Sequence, residues 1–330
     1  MSIDPRRQSF IRSGLDDAPP ALRGAHVAIG NFDGMHRGHQ AVLESALQAS
    51  APAGRPAVAL TFEPHPRDFF KPTEPVFRLT PPAAKARVAA ALGLQGLVAV
   101  PFDASVAALP AERFVQAVLR DALAVSGVSI GWNFRFGAGR GGTPEVLSAL
   151  GLDHGVTVAV VEPFRSEDGS VVSSSRIRDL IGEGDIAAAA GLLGYRWFFD
   201  GVVVNGEKRG RTIGYPTANV RLAPEVRLAH GIYAVVAEFG GERRHGVASY
   251  GRRPTFDNGA AVFETYVFDF SGDLYGETMT VTPVARLRDE MKFDNVAALV
   301  EQMDRDSAEA RAMLTHLQPV SPLDGALLFS

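Results

Sequence analysis

The pattern of apolar and polar positions divides the chain into two parts of different texture. In the first part, short apolar runs of strand length alternate with helical patterns, as is typical of a parallel α/β sheet. The pattern predicts strands over 26–30, 57–62, 97–101, 128–131 and 156–162, with helices over 38–50, 83–92, 111–123 and 144–150. We therefore predict a Rossmann-like domain built on a parallel sheet.

From about Trp197 the pattern changes to short β-rich runs with turn signals, which indicates an antiparallel barrel or sandwich, and we predict a barrel. The predicted strands are 197–204, 231–238, 246–250, 262–270 and 277–287. A terminal helix over 296–316 places Val296, Leu299, Val300 and Met303 on one apolar stripe. We place the boundary at residue 186, giving domains 1–186 and 187–330, and expect the tails before Leu22 and after Leu317 to be partly disordered or loosely packed.

Composition narrows the class of protein. A chain of 330 residues exceeds what one core usually holds, which favours two domains. A net charge of −4 gives no sign of a nucleic-acid or anionic-membrane partner. The absence of cysteine excludes disulfides and thiolate chemistry. No run approaches the ~20 apolar residues of a membrane span, and the first residues lack the apolar core of a signal peptide. We expect a cytoplasmic protein.

The first candidate functional segment is the turn from residue 30 to residue 39, between a predicted strand and a predicted helix. Glycines at 30, 34 and 38 allow a ligand to approach the backbone closely. His36 and His39 share one face of the first helical turn, where free N–H groups and the helix dipole favour an anion. This predicts a nucleotide-phosphate site. A metal-binding histidine pair and a purely structural turn are the alternatives, although no third metal ligand lies nearby in the sequence.

A second phosphate-binding candidate spans residues 206–219, which we interpret as a connection between strands. Backbone N–H groups and cations there can cradle a polyphosphate, and the residues concerned are Gly206, Lys208, Gly210 and Arg211. The Thr217 hydroxyl and the Asn219 amide are oxygen donors that suit Mg²⁺. A basic solvated turn explains the same spacing equally well.

Two further segments have both a chemical and a structural interpretation. Glu264 places a carboxylate inside an otherwise apolar strand, where it can accept a proton from an attacking alcohol or simply face solvent. The segment 173–178 can cap a helix with its serines or clamp a phosphate with Arg176 and Arg178.

Taken together, these segments resemble the bifunctional prokaryotic riboflavin kinase/FMN adenylyltransferase family, also called FAD synthetases. The resemblance covers most of the chain, from about His26 to Asp304. In the first part, residues 30–39, 61–66, 131–137 and 173–178 resemble the family motifs G-x-F-D-G-x-H-x-G-H, T-F-x-P-H-P, G-x-x-F-x-F-G and S-S-T-x-I-R. In the second part, residues 214–219 resemble G-x-P-T-A-N, followed by similar segments at 253–256, 274–276 and 287–293.

The resemblance implies two activities that use ATP and Mg²⁺, with riboflavin, FMN and FAD as substrates and products. His36 and His39 would contact the ATP phosphates during adenylyl transfer, Glu264 would be the base for the riboflavin 5′-hydroxyl, and Thr217 with Asn219 would hold Mg²⁺. The other implied nucleotide-binding residues are Gly30, Phe32, Asp33, Gly34, Ser174, Ser175, Arg178 and Pro216, and the implied flavin-binding residues are Phe62, Pro64, His65, Asn133, Phe136, Arg288 and Phe293.

The chain departs from the family pattern at three places. Ser175 stands where threonine is usual, Ser249-Tyr250 replaces a common Asn-Ile pair, and Thr265-Tyr266 replaces Val-His after the expected base. Two rival functions remain: a kinase whose first domain only binds flavin or regulates, and a nucleotidyltransferase for another phosphate-bearing substrate with the barrel as a binding module.

Overall fold

The computed structural model describes residues 11–14, 16, 20–205, 214–252 and 261–330, except for the side chains of 11–13 and 252. The chain packs into two compact units, Met1–Ser174 and Ser175–Ser330. Each unit has its own sheet.

The first unit is built on a parallel sheet of six strands in the order β1-β4-β3-β2-β5-β6. Its strands are β1 (Ile11–Gly14), β2 (His26–Ile29), β3 (Ala57–Glu63), β4 (Gly96–Pro101), β5 (Gly127–Gly131) and β6 (Thr157–Val161). The predicted parallel sheet and its five predicted strands are confirmed. The expectation of a loose segment before Leu22 is wrong for β1, which pairs in parallel with β4. An edge strand of this kind is held by backbone hydrogen bonds, which leave little trace in the side-chain pattern.

Helices cover both faces of this sheet. They are α1 (Arg37–Ser50), α2 (Pro66–Phe70), α3 (Pro82–Ala91), α4 (Ala104–Ala107), α5 (Ala111–Phe114), which continues as a π-helix over Val115–Ala122, and α6 (Pro144–Asp153). On one face Ile29, Leu60 and Ile130 pack with Phe114 and Leu119 in a fully apolar core. Because both faces are covered, the strands are continuous apolar runs, and polar side chains collect in the loops at the carboxyl ends of the strands.

The second unit begins with α7 (Ser174–Glu183) and α8 (Ile186–Leu193) and continues into a closed barrel with the strand order β10-β11-β8-β7-β12-β9. The strands are β7 (Phe199–Val204), β8 (Thr217–Arg221), β9 (Gly231–Phe239), β10 (Glu242–Arg252), β11 (Ala261–Val267) and β12 (Thr278–Arg288), and all paired neighbours are antiparallel. The predicted barrel is confirmed. Strand β8 lies within the segment that we interpreted as a connection, and the boundary at residue 186 stays a prediction.

The long helix α9 (Val296–Thr315) confirms the predicted terminal helix, and one end of its predicted apolar stripe is exposed. Val296 is 60% exposed. The buried face instead carries Asp306, Ser307, Ala310 and Leu314. Leu299, Val300 and Met303 of the predicted stripe are half-buried. Two of the fully buried positions are polar, and Asp306 is paired with Arg288 through two hydrogen bonds of 2.9 and 2.6 Å, which sequence periodicity cannot reveal.

The segment after Leu317 is folded, contrary to our expectation. It forms the short helix Pro322–Asp324 and the helical turn Gly325–Phe329, with Leu323, Leu327 and Leu328 buried. The buried Asp324 carboxylate accepts hydrogen bonds from the backbone N–H groups of Arg196 (2.8 Å) and Val320 (3.0 Å), and it also pairs with the Arg196 guanidinium. Arg196 and Asp324 lie 128 positions apart in the sequence, so their pairing leaves no local sequence signal.

Candidate functional sites

The first candidate site is the phosphate loop, which we define as residues 30–36 between β2 and α1. Three of its residues have a left-handed backbone: Phe32 (φ 48°), Gly34 (φ 84°) and Met35 (φ 37°). The loop thereby turns sharply from the buried strand into the first turn of α1. This turn lies at the carboxyl edge of the sheet, where open parallel sheets bind their ligands.

His36 and His39 meet at the start of α1, as predicted. Their rings stack with centroids 3.7 Å apart, and His36 caps the helix by accepting the His39 N–H at Nδ1 (3.3 Å). Because Nδ1 accepts, a neutral His36 ring carries its proton on Nε2 and can donate it to another acceptor. No described residue accepts from the N–H groups of Arg37 or Gly38 in this first turn. Imidazole and backbone donors therefore meet at a helix N-terminus, which suits a phosphate.

The remaining residues predicted for the nucleotide have different environments. Asp33 and Gly34 are buried and belong to the scaffold of the loop, since the Gly34 N–H donates to Thr80 Oγ1 at 2.8 Å. Ser174, the last residue of the first unit, donates through its hydroxyl to the Asp33 carbonyl at 2.8 Å. Ser175 is exposed and Arg178 is half-buried on α7. A side chain at Gly30 would approach the Phe32 ring to 3.1 Å.

The structure brings two predicted flavin residues together through a third aromatic ring. Phe62 and Phe136 both pack against Phe114, with ring centroids 6.2 and 5.6 Å apart. Pro64 follows a cis peptide bond, and Asn133 is exposed beyond the end of β5. This apolar cluster lies on the same edge of the sheet as the phosphate loop, because β2, β3 and β5 run parallel.

His65 begins α2 and accepts the Arg67 N–H at Nδ1 (3.1 Å). Burial, and then the charge of Arg78, lowers the pKa of the His65 ring. The cap of α2 requires a neutral His65 ring, and the surroundings of His65 favour that same form.

Sequence reasoning missed a buried group of charges behind the phosphate loop. The Lys85 Nζ donates to the Asn31 carbonyl (2.9 Å), Thr61 Oγ1 (3.1 Å) and Glu63 Oε1 (3.1 Å), while Arg78 donates to both Glu63 oxygens at 2.7 and 2.8 Å. Burial alone would raise the pKa of Glu63, but the charges of Lys85 and Arg78 outweigh it and lower that pKa. Burial lowers the pKa of Lys85, and Glu63 opposes the shift. A lone lysine at a core position of an alanine-rich helix was the available signal.

The second candidate site lies on the barrel, where strand register assembles the predicted kinase residues. Glu264 on β11 pairs directly with Asn219 on β8, and Tyr266 pairs with Thr217. Paired residues project from the same side of a sheet, as do residues two apart in one strand, so these four side chains form one patch. Asn219 Nδ2 donates to the Thr217 carbonyl at 3.3 Å, so its Oδ1 is the amide atom that can bind a cation.

Tyr215, just before Pro216, ties the start of β8 to α9. Its hydroxyl donates to Asp304, and its ring lies 4.7 Å from that of Tyr266. Burial, aided by the bond to Asp304, raises the pKa of Tyr215 to about 12. The phenol therefore stays protonated and acts as a hydrogen-bond donor.

Arg288, which was predicted to bind flavin, is hydrogen-bonded to other groups of the protein. Besides its two bonds to Asp306, it donates to the Asp289 carbonyl at 2.8 Å. Phe293 is half-buried in the segment between β12 and α9. Gly206, Lys208, Gly210, Arg211 and the segment 253–256 lie outside the described residues.

Comparison with known proteins assigns both units. The chain matches the family model for FAD synthetase over residues 18–176 and the model for riboflavin kinase over residues 193–314. It is 37% identical over 304 residues to the bifunctional riboflavin kinase/FMN adenylyltransferase of Pseudomonas fluorescens, covering 91% of this chain and 96% of that protein. The Escherichia coli K12 protein of the same name is 36% identical over 306 residues, covering 92% and 97%. The chain belongs to the bifunctional riboflavin kinase/FMN adenylyltransferase family.

A solved structure of similar fold, described as a macrolide-efflux protein from Streptococcus pneumoniae, has a TM-score of 0.81 and 34% identity, covering 92% of this chain and 100% of that chain. Within the described ranges, no helix has the length and apolar character needed to cross a bilayer. The predicted enzyme class, a flavin phosphotransferase joined to a nucleotidyltransferase, is confirmed by the family. Its two activities imply ATP and flavins as substrates.

Proposed function

We propose that the first unit transfers the adenylyl group of ATP to FMN, and that the barrel phosphorylates riboflavin to FMN. The observation that carries this proposal is the phosphate loop, with stacked His36 and His39 at the N-terminus of α1. A basic, donor-rich helix start at the carboxyl edge of a parallel sheet suits a polyphosphate. We further propose that the enzyme works in the cytoplasm, which agrees with a chain that contains no cysteine.

In adenylyl transfer, an oxygen of the FMN phosphate attacks the α-phosphorus of ATP, and the bond from that phosphorus to the pyrophosphate oxygen breaks. The attacking phosphate is already ionised, so the step needs no strong base. Positioning and charge stabilisation supply the rate enhancement. His36 Nε2–H, His39 and the first turn of α1 donate to the phosphate oxygens as their charge redistributes.

In the kinase step, Glu264 accepts the proton of the riboflavin 5′-hydroxyl while that oxygen attacks the γ-phosphorus of ATP and the bond to ADP breaks. The patch of Thr217, Asn219, Glu264 and Tyr266 supports this role, because Glu264 pairs in register with Asn219, one of the two residues that we propose hold the metal and the nucleotide.

The donor set on β8 fits Mg²⁺. Thr217 and Asn219 present hard oxygen donors on one side of the strand, and the bond from Nδ2 to the Thr217 carbonyl leaves the amide oxygen as the ligand atom. Among the residues that the structure describes, no group of three or more histidine, aspartate or glutamate side chains could hold a metal ion. When bound, Mg²⁺ neutralises charge on the ATP phosphates.

The proposal is tested by incubating the whole chain with riboflavin, ATP and Mg²⁺ and identifying the products by chromatography. We expect FMN and then FAD. Accumulation of FMN without FAD indicates a first unit that only binds or regulates, and no flavin product at all indicates a different substrate.

The double variant His36→Ala, His39→Ala tests whether adenylyl transfer takes place in the first unit. Loss of one good charge-stabilising donor costs roughly 10²- to 10³-fold in rate, so FAD formation should nearly cease while FMN formation continues. Near-normal FAD formation by this variant contradicts the phosphate-clamp role.

A further inference from the structure

The phosphate loop has a costly backbone that something must hold in place. Phe32 and Met35 are not glycines, yet both have a positive φ. A left-handed backbone at such residues is energetically unfavourable, and it persists only where surrounding contacts fix it. The residues that fix it determine where His36 and the first turn of α1 point.

Thr80 makes those contacts from outside the loop. The backbone N–H of Thr80 donates to Asp33 Oδ1 (3.0 Å). The Thr80 hydroxyl accepts the Gly34 N–H (2.8 Å) and donates to the Phe32 carbonyl (3.3 Å). Thr80 is 1% exposed, so no solvent competes for these bonds. One residue thus holds three consecutive loop residues.

Lys85 supports the same loop from the β3 side. Its bond to the Asn31 carbonyl fixes the residue just before the stretch that Thr80 holds. Thr61 Oγ1 donates to the same carbonyl at 3.0 Å. The loop is therefore held continuously from Asn31 to Gly34, by Thr80 just before α3, by Lys85 within α3 and by Thr61 on β3.

We propose that Thr80 is a positioning residue for adenylyl transfer: it sets the phosphate-loop conformation that aims His36 and the α1 N-terminus at the reacting phosphate. This inference rests on the proposed role of the phosphate loop. Thr80 touches no reacting atom, so it acts only through the loop. A donor displaced by about 1 Å costs up to about 10²-fold in rate, because the transition state demands tighter geometry than the bound substrate does.

The test compares Thr80→Val, which keeps the shape and removes the hydroxyl, with Thr80→Ser, which keeps the hydroxyl. Thr157→Val, an exposed threonine of the same sheet, is the matched control. For each whole-chain variant, kcat and KM for ATP are measured with FMN as substrate, and the riboflavin-to-FMN rate is measured on the same preparation.

We expect Thr80→Val to lower kcat of FMN-to-FAD conversion about 10- to 100-fold with KM for ATP changed less than about threefold. Thr80→Ser and Thr157→Val should stay within about threefold of wild type, and kinase turnover should be normal throughout. If Thr80→Val does not fold, Thr80→Ala removes the hydroxyl without placing a methyl group against the Gly34 N–H and must give the same pattern.

Three results overturn the inference: an unchanged kcat without the hydroxyl, an equal loss in the Ser and Val variants, or a parallel loss of kinase turnover, which marks general destabilisation. The wild-type chain separates this inference from the proposed function. If wild type makes no FAD, the proposed function fails; if wild type and Thr80→Val make it equally well, only the role of Thr80 fails.

Discussion

At the scale of single residues, Glu264 shows how a catalytic interpretation gains support from register. Taken alone, a carboxylate at this position of a strand is more often a solvent-facing side chain. The structure pairs it with Asn219 on one side and with Ser249 on the other, within a row of polar side chains across three strands. The sequence contained each residue, but only strand pairing made them neighbours.

Glu264→Gln tests the proposed base. The amide keeps the size and hydrogen-bonding capacity of the side chain but cannot accept the hydroxyl proton, so the kinase rate should fall about 10²- to 10⁴-fold. Binding of riboflavin should change much less. Rates of riboflavin-to-FMN and FMN-to-FAD conversion are measured separately. Unchanged kinase turnover makes Glu264 a bystander, and equal loss of both activities indicates misfolding.

Thr265, the neighbour of Glu264, provides a stability prediction. It is fully buried, on the same face of β11 as Phe263 and Val267, and its hydroxyl makes no hydrogen bond to any described residue. Because a buried unpaired hydroxyl is costly, Thr265→Val should raise the free energy of unfolding of the barrel by about 1 kcal/mol. Calorimetry of the unfolding transition that abolishes kinase activity measures the change.

The opposite result is expected where a buried threonine is bonded. Thr61→Val removes the hydroxyl that donates to the Asn31 carbonyl, and it should destabilise the first unit. If Thr265→Val also destabilises its unit, the prediction for Thr265 is contradicted.

At the scale of elements, a hydrogen-bonded chain ties β2, β5 and α1 together. His26 Nε2 lies 3.0 Å from Ser129 Oγ, which lies 2.9 Å from Ser45 Oγ. Burial lowers the pKa of His26 from its ordinary value of 6.5. The strand that leads into the phosphate loop is thus held by a histidine that favours its neutral form.

This lowered pKa makes the first unit sensitive to acid. Below pH 6.5 an unfolded chain protonates His26, whereas the folded unit resists protonation, so stability is lost as the pH falls through the ordinary value. The glutamine in His26→Gln does not titrate. Between about pH 7.5 and about pH 5.5, the unfolding temperature of this variant should therefore fall less than that of wild type.

The His26 effect should be partial, because the pKa of His65 is lowered as well. Thermal unfolding at several pH values measures how steeply the unfolding temperature changes with pH in wild type and in His26→Gln. Identical slopes for wild type and His26→Gln contradict the prediction.

At the scale of the whole molecule, the boundary between the two domains is predicted at residue 186. The predicted barrel domain begins at residue 187, within α8, but several contacts of the second unit involve earlier residues. The Ala229 N–H donates to the Ile181 carbonyl at 3.2 Å, and Asp185 caps α8 by accepting the Ala188 N–H at 3.0 Å. Ile181 is fully buried.

Two fragments locate the boundary. We expect residues 187–330, expressed alone, to fold and phosphorylate riboflavin, because the kinase patch, the barrel and α9 all lie in that range. Residues 175–330 should also fold and should unfold at a higher temperature, because they retain the Asp185 cap, worth about 1 kcal/mol, and the buried Ile181. Kinase assays and thermal unfolding of both fragments measure this, and equal stability would favour the boundary at 186.

The sequence by itself determined the parallel sheet, the barrel, the two activities and the sharp turn that leads into His36 and His39. Each rests on local information: the period of apolar residues, turn chemistry and contiguous motifs. Tertiary structure decided what depends on residues far apart in the chain. The support of the loop by Thr80 and Lys85, the patch of Thr217 and Glu264 and the anchoring of Asp324 each join distant segments. Such polar groups are buried only because a distant partner satisfies them, and no local pattern encodes that partner.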